Sequence, residues 1–213
     1  MNITWYGRST FLIESSDGTR ILTDPCNPHF AVNQHDIDAD IVTVSHDHDD
    51  HNYIEAVSGV PIVFKTLGEH IAYGIKITGF PSFHDDCMGK KRGDNIMFIY
   101  EVDDMRILHC GDIGAIPDPS VISAMLPIDI MFVPTGGIYT IDFREARVLA
   151  NLIKPSVLIP MHYGTGLPGD NLSELAPFLN SARDCKIHRL NQSSATIDRQ
   201  NLGSERILVI DAQ

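Results

Sequence analysis

Hydrophobic and polar positions alternate with a period of two along the first third of the chain, the spacing of half-buried strands. Ile3-Thr4-Trp5 and Thr10-Phe11-Leu12-Ile13 lead to a Ser16-Asp17-Gly18 turn and on to Thr19-Arg20-Ile21-Leu22-Thr23, which predicts a hairpin. Residues 24–40 show no periodicity and read as a polar loop. Ile41-Val42-Thr43-Val44 is then a short β-branched run, the mark of a buried strand, and it ends directly in Ser45-His46-Asp47-His48. A helical turn is predicted over 52–57, with strands over 61–64 and 75–78. A second hairpin spans 95–102 and 105–109 across Asp103-Asp104, and its last strand runs into Cys110-Gly111-Asp112.

Beyond that point the period changes. Helices are predicted over 120–126, 143–153 and 172–181, and strands over 129–133, 157–160 and 207–210. Strands first and alternating units afterwards predict an α/β protein of two packed sheets with helices outside, a four-layer αββα sandwich. No Pro/Gly/Ser-rich linker interrupts it, so residues 1–213 are expected to form a single domain. The segments 41–51, 105–112 and 157–162 each place His or Asp just after an apolar strand, so these side chains are expected to meet at one edge of the sheets.

Composition narrows the class. With 43% hydrophobic residues and no apolar run of about 18, the chain is neither a disordered tail nor expected to enter a membrane. The amino-terminal segment lacks the charged and apolar regions of a secretory signal, so a cytoplasmic protein is expected. Cys26, Cys87, Cys110 and Cys185 are widely spaced and read as reduced thiols. The net charge of −12 argues against nucleic acid as a partner, which would draw on a surplus of Lys and Arg. Asp outnumbers Glu by 21 to 7, which puts much of that charge on loops, and there are ten His.

Those two residue types meet in Ser45-His46-Asp47-His48-Asp49-Asp50-His51, an H-x-H-x-D-H spacing. Chance gives roughly 0.002 such matches in a chain of this composition. An extended His-x-His sets both imidazoles on one side of the chain, where they can grip one ion, while Asp50 and His51 follow on the turn and can face a second. Two ions about 3.5–4 Å apart share a hydroxide and stabilise attacking and leaving oxygens alike.

The motif and its downstream partners resemble the metallo-β-lactamase superfamily of metal-dependent hydrolases. The resemblance covers nearly the whole chain and runs on through His84 in Pro81-Ser82-Phe83-His84, Asp112 after Gly111, and His162 in Met161-His162-Tyr163-Gly164. It implies that His46, His48 and His84 hold one metal, that Asp50, His51 and His162 hold the other, and that Asp112 bridges them. Zinc is the default ion, with manganese and iron as alternatives for a His/Asp site. Asp85 and Asp86 compete with His84 for the third-histidine position. The stretch Val133-Pro134-Thr135-Gly136-Gly137-Ile138-Tyr139-Thr140 looks like the loop of the small L-ascorbate-6-phosphate lactonase-like branch, as does Asp24-Pro25.

Several side chains carry two readings. Thr135, Gly136 and Gly137 line the site or form an ordinary turn, and Tyr139 and Tyr163 donate to substrate or pack beside the metal loops. Lys90, Lys91 and Arg92 meet an anionic substrate group or make a solvated hairpin tip. His109 is expected beside the site rather than in it; His29, His35, His70 and His188 have no spacing argument.

The expectation is therefore a binuclear hydrolase that cleaves an ester, lactone, thioester or phosphodiester bond of a small, optionally anionic, molecule, with Asp50 orienting the hydroxide or taking its proton. About 51 residues follow His162, too few for the helical substrate domain of glyoxalase-II-like enzymes, and no basic arm of a nucleic-acid-processing nuclease is visible. The contrasting reading is a metal-containing binding or regulatory protein on the same fold. A homo-oligomer is compatible with the sequence but not specified by it.

Overall fold

The computed structural model describes residues 1–30, 36–166, 171–203 and 206–213. The first half supplies β1 (Asn2–Trp5), β2 (Phe11–Glu14), β3 (Arg20–Thr23), β4 (Ile37–Asp38), β5 (Ile41–Thr43), β6 (Val57–Ser58), β7 (Ile62–Phe64), β8 (Gly68–Ala72), β9 (Ile75–Phe83), β10 (Asp94–Val102) and β11 (Met105–His109). The second half adds α1 (Pro119–Met125), β12 (Ile130–Pro134), α2 (Phe143–Ile153), β13 (Val157–Met161), α3 (Ala176–Ser181), β14 (Lys186–Arg189), β15 (Ser194–Thr196) and β16 (Arg206–Val209). They form a six-stranded sheet in the order β15-β1-β2-β3-β5-β7 and an eight-stranded sheet in the order β14-β16-β13-β12-β11-β10-β9-β8.

The sheets stack face to face. Phe11 of β2 and Phe132 of β12, both fully buried, stack across the interface with ring centroids 4.2 Å apart. Every residue of β12 and β13 is buried, because one face meets the other sheet and the opposite face lies under helix. Helix α2 presents Ala146, Leu149, Ala150 and Ile153 to that face at i, i+3, i+4, i+7 spacing, and its start is fixed by a capping box between Asp142 and Glu145. On the outer side of the six-stranded sheet a smaller apolar cluster joins Leu22, Val42 and Val44 to Ile37 and Ala39. A short 3-10 turn at Ile54–Ala56 and the β4–β6 pair belong to that layer.

Strand direction places the site. β11, β12 and β13 run parallel, and β9 shares their direction because β10 lies antiparallel between β9 and β11. In the other sheet β5 runs parallel to β3 and β7. The peptides following β5, β9, β11 and β13 carry His46–His51, His84, Asp112 and His162, the convergence that the strand-end positions predict.

Several predicted elements change. The helix expected over 172–181 begins only at Ala176, because the preceding residues are drawn out to bond other loops: Ser173 N–H donates to Gly136 O and Gly164 N–H to Ser173 O. The strand expected over 75–78 continues to Phe83. It tolerates Pro81 because β8 pairs only as far as Gly79, which leaves Pro81 without a ladder partner on that side. The loop expected over 24–40 contains the two-residue β4.

Candidate metal centre

A single carboxylate organises the first histidine loop. Asp24 follows β3 in a left-handed conformation (φ 40°) and is fully buried. Its Oδ1 accepts the Ser45 N–H at 2.7 Å, and its Oδ2 accepts the Ser45 hydroxyl at 2.6 Å. The same Oδ2 lies 2.9 Å from His51 Nδ1, so Nδ1 carries a proton and Nε2 is the nitrogen left to ligate. Ser45 Oγ in turn lies 2.9 Å from His46 Nδ1. Both imidazoles are thus oriented from behind by Asp24, one directly and one through Ser45.

Asp112 is held just as closely. Its N–H donates to Asn95 Oδ1 at 2.9 Å, and its Oδ1 accepts the Ser9 hydroxyl at 3.3 Å. Asn95 also donates to Cys110 O, and His109 spans the turn by donating from Nε2 to Ser9 O while Nδ1 accepts the Gly111 N–H. Gly111 sits at φ +56° with no room for a side chain: a Cβ there would lie 2.4 Å from Asn95 Oδ1 and 2.7 Å from Ser45 Cβ. His162 also has positive φ (49°), and its N–H donates to Arg8 O.

The ligand atoms fall into overlapping groups, each within 4.8 Å: His46, His48 and His84; His46, His51 and Asp112; and Asp50, His51 and His162. Asp112 Oδ2 lies 3.2 Å from His51 Nε2, 3.2 Å from His162 Nε2 and 3.5 Å from His84 Nε2. Asp50 Oδ2 lies 3.6 Å from His51 Nε2 and 3.8 Å from His162 Nε2. Tetrahedral ligands about 2.1 Å from one ion stand about 3.4 Å apart, so these separations fit shared coordination. His46 Nε2, His51 Nε2 and His162 Nε2 are moreover buried with no hydrogen-bond partner. Buried polar atoms are almost always satisfied, and three such nitrogens around one carboxylate are the donor set a divalent cation takes.

Burial and mutual charge set the protonation of the group. Burial pushes the His46 imidazole down to about 3. Burial opposes ionisation of Asp112 and Asp50, but the surrounding His162 and His51 outweigh it and hold both carboxyls far below the ordinary range. His51 is driven the other way: burial lowers it, yet Asp112, Asp24 and Asp50 together lift it well above the usual histidine value.

A cavity of about 250 Å³ opens over the centre, walled by Asp50, Asp112 and His84 below and by Arg8, Arg92, Tyr139 and Asn171 at the rim. Of the residues predicted to line the site, Arg92 and Tyr139 do so. Lys91 turns outward to Asp86 at 3.4 Å, and Lys90 is exposed away from the cavity wall. Thr135, Gly136 and Gly137 are not part of that cavity wall; Thr135 N–H donates to Met161 O, and Gly136 packs so closely on His162 O that a Cβ has no room, so this loop backs the histidine turn. Tyr163 is buried with its ring 5.1 Å from Trp5 and does not form part of that cavity wall. Asp85 is no competitor of His84, because its carboxylate accepts four backbone N–H groups. His109 belongs to no ligand group, His29 and His188 are exposed, His70 stacks on Phe64, and His35 lies outside the described residues.

Sequence reasoning missed Ser9, Asn95 and the bond network of Ser45. Only Ser45 carried a signal, its place between a buried strand and the first histidine; Ser9 and Asn95 are ordinary polar residues until the fold brings them to Asp112.

Among the described residues no helix is long and apolar enough to cross a membrane. None of the four cysteines forms a disulfide among the described residues, and Cys26 and Cys110 are buried.

Residues 2–162 match the family model described as a beta-lactamase superfamily domain. A UPF0173 metal-dependent hydrolase of Carboxydothermus hydrogenoformans is 31% identical over 196 residues, covering 78% of this chain and 85% of that one. The crystal structure of a Thermotoga maritima protein, described as a candidate Zn-dependent hydrolase of the metallo-beta-lactamase superfamily, superposes with a TM-score of 0.79 at 31% identity and 98% coverage of both chains. A Parabacteroides distasonis protein at 20% identity shares the fold, with a TM-score of 0.70 over 99% of this chain and 93% of that one. With a strand-end His/Asp centre, the matching domain and these relatives, the chain belongs to the metallo-beta-lactamase superfamily and is a metal-dependent hydrolase.

Proposed function

We propose that the centre is binuclear, with His46, His48 and His84 holding one ion, Asp50, His51 and His162 the other, and Asp112 shared between them. The observation that carries this reading is Asp112 Oδ2, which stands within 3.5 Å of imidazole nitrogens from both three-residue groups. Zinc suits the five-histidine, two-carboxylate set. When bound, two such ions supply a hydroxide nucleophile near neutral pH and polarise the oxygen of the bond to be broken. The chain's own groups do the rest. Asp24 keeps His51 in the Nδ1–H tautomer, Gly111 and Asn95 aim Asp112, and Asp50, held ionised, orients the attacking water. No Ser or Cys nucleophile is needed.

The reaction class that fits is hydrolysis of an ester, lactone, thioester or phosphodiester bond in a small molecule. The cavity of about 250 Å³ sets the size, and the net charge of −12 disfavours an extended polyanion such as nucleic acid. Metal analysis of protein purified without added metal is expected to give two equivalents per chain, and one or none for Asp112→Ala. A single equivalent in the wild type would overturn the binuclear reading. A panel of lactones, thioesters and phosphodiesters is expected to contain a substrate turned over faster than by Asp112→Ala, and a panel with none would overturn the reaction class.

A further inference from the structure

We propose that Arg92, stacked on Tyr139, forms a subsite for a carboxylate or phosphate group carried by the substrate, and that Asp85 is the positioning residue that builds it. The inference rests on the hydrolase centre proposed above and adds the charge of the substrate.

The loop between β9 and β10 is largely exposed, yet it is fixed from inside. Asp85 Oδ1 accepts the N–H groups of Cys87 (2.9 Å) and Gly89 (2.8 Å), and Oδ2 accepts those of Lys91 (2.8 Å) and Arg92 (2.9 Å). The ends are tied as well, since His84 N–H donates to Gly93 O and Gly93 N–H to Gly89 O. One buried carboxylate thus holds the backbone of Arg92 in a set place beside the ligand His84.

From that place the Arg92 guanidinium lies over the Tyr139 ring, 4.5 Å from its centroid. Arg20, Arg106, Arg147 and Arg199 are each paired with a carboxylate. No such partner is found for the Arg92 side chain among the described residues. The ring contact spends none of the guanidinium N–H groups on a carboxylate, so its donors stay available for a carboxylate or phosphate, which a guanidinium can take bidentately. Arg92 walls both the cavity over Asp50 and Asp112 and an adjoining space of about 400 Å³ that also touches His46, His48 and Lys65. A substrate with its scissile bond at the metals therefore has a fixed cation beside it. Of the basic triplet only Arg92 plays this part, since Lys91 is engaged by Asp86.

The test uses metal-binding probes whose tails differ in charge: glutaryl hydroxamate with a free carboxylate, its methyl ester, and a phosphate-tailed hydroxamate of matching length. Calorimetric titration of metal-loaded protein is expected to show an anionic probe bound on the order of tenfold or more tighter than the ester, the gain of a charge-assisted hydrogen bond. Arg92→Met is expected to remove that preference while ester affinity stays within about twofold, and Asp85→Asn to reduce it with metal content unchanged. The carboxylate and phosphate arms then report which anion fits better. Equal binding of charged and neutral probes, or a preference that survives Arg92→Met, would overturn the subsite. An undiminished preference in Asp85→Asn would overturn the positioning role. Failure of every hydroxamate to bind would overturn the metal-centre reading itself, and this inference with it.

Discussion

Replacing Asp24 by Asn tests whether tautomer control from behind the centre matters as the geometry implies. The change is isosteric and leaves Oδ1 to accept the Ser45 N–H, a 2.7 Å bond in the wild type. On the other branch an NH₂ group now faces His51 Nδ1, where Oδ2 stood at 2.9 Å. Two donors cannot share that contact, so the His51 proton moves to Nε2, the atom 3.2 Å from Asp112 Oδ2 that must offer a lone pair to a metal. Losing the charge-assisted bond and restoring the ligating tautomer cost about 1.5–3 kcal/mol together, which is about 10–100-fold in metal affinity. Asp24→Ala is less informative. It strands the Ser45 N–H, the Ser45 hydroxyl and His51 Nδ1 in a buried site at about 1–3 kcal/mol each, so folding suffers too. Competition against a chromophoric chelator measures the affinity, and histidine ¹⁵N shifts report which ring nitrogen carries the proton. Asp24→Asn affinity within twofold of wild type, with His51 still protonated on Nδ1, would refute the reasoning.

Gly111→Ala is expected to destabilise the protein by about 2–4 kcal/mol and to weaken metal binding, since it combines a left-handed φ of +56° with a Cβ 2.4 Å from Asn95 Oδ1; denaturant melts with and without metal check this, and a loss under about 0.5 kcal/mol would count against it. Phe132→Ala removes one partner of the inter-sheet stack, whose rings lie 4.2 Å apart, and is expected to cost about 3–5 kcal/mol in urea unfolding. For pH, His46 falls from 6.5 when unfolded to about 3 when buried, so acid protonates the unfolded chain first and stability falls as pH drops through that window. From about pH 7 to about pH 5 this group alone removes about 2 kcal/mol from the metal-free protein, and a stability that rises over the same range in chelator-treated samples would contradict it.

The sequence made some parts of this molecule legible and hid others for identifiable reasons. The central strands announced themselves because each has at least one buried face, so the hydrophobic period survives in the local sequence. Three of the four edge strands of the two large sheets, β8, β14 and β15, did not, whereas the β-branched run of β7 was legible over 61–64. All four residues of β14, Lys186-Ile187-His188-Arg189, are exposed, and β8 reads Gly-Glu-His-Ile-Ala with only its last residue buried. Without a buried face, their assignment depends on the neighbours β16 and β9.

The same division runs through the site. A chain of seven residues fixed the first four candidate ligands, because H-x-H-x-D-H at the end of a β-branched strand is local chemistry that needs no fold to be recognised. Tertiary structure alone decided what stands around them. It made Asp24 the shared support of His46 and His51, tied Asp112 to Ser9 and Asn95, gave Asp85 to the backbone of its own loop, and sent Tyr163 into the core while leaving Tyr139 at the rim. Hydrogen bonds between residues as far apart as Ser9 and Asp112 leave no periodic trace in a sequence, since either partner is an unremarkable polar residue until the two sheets bring them together.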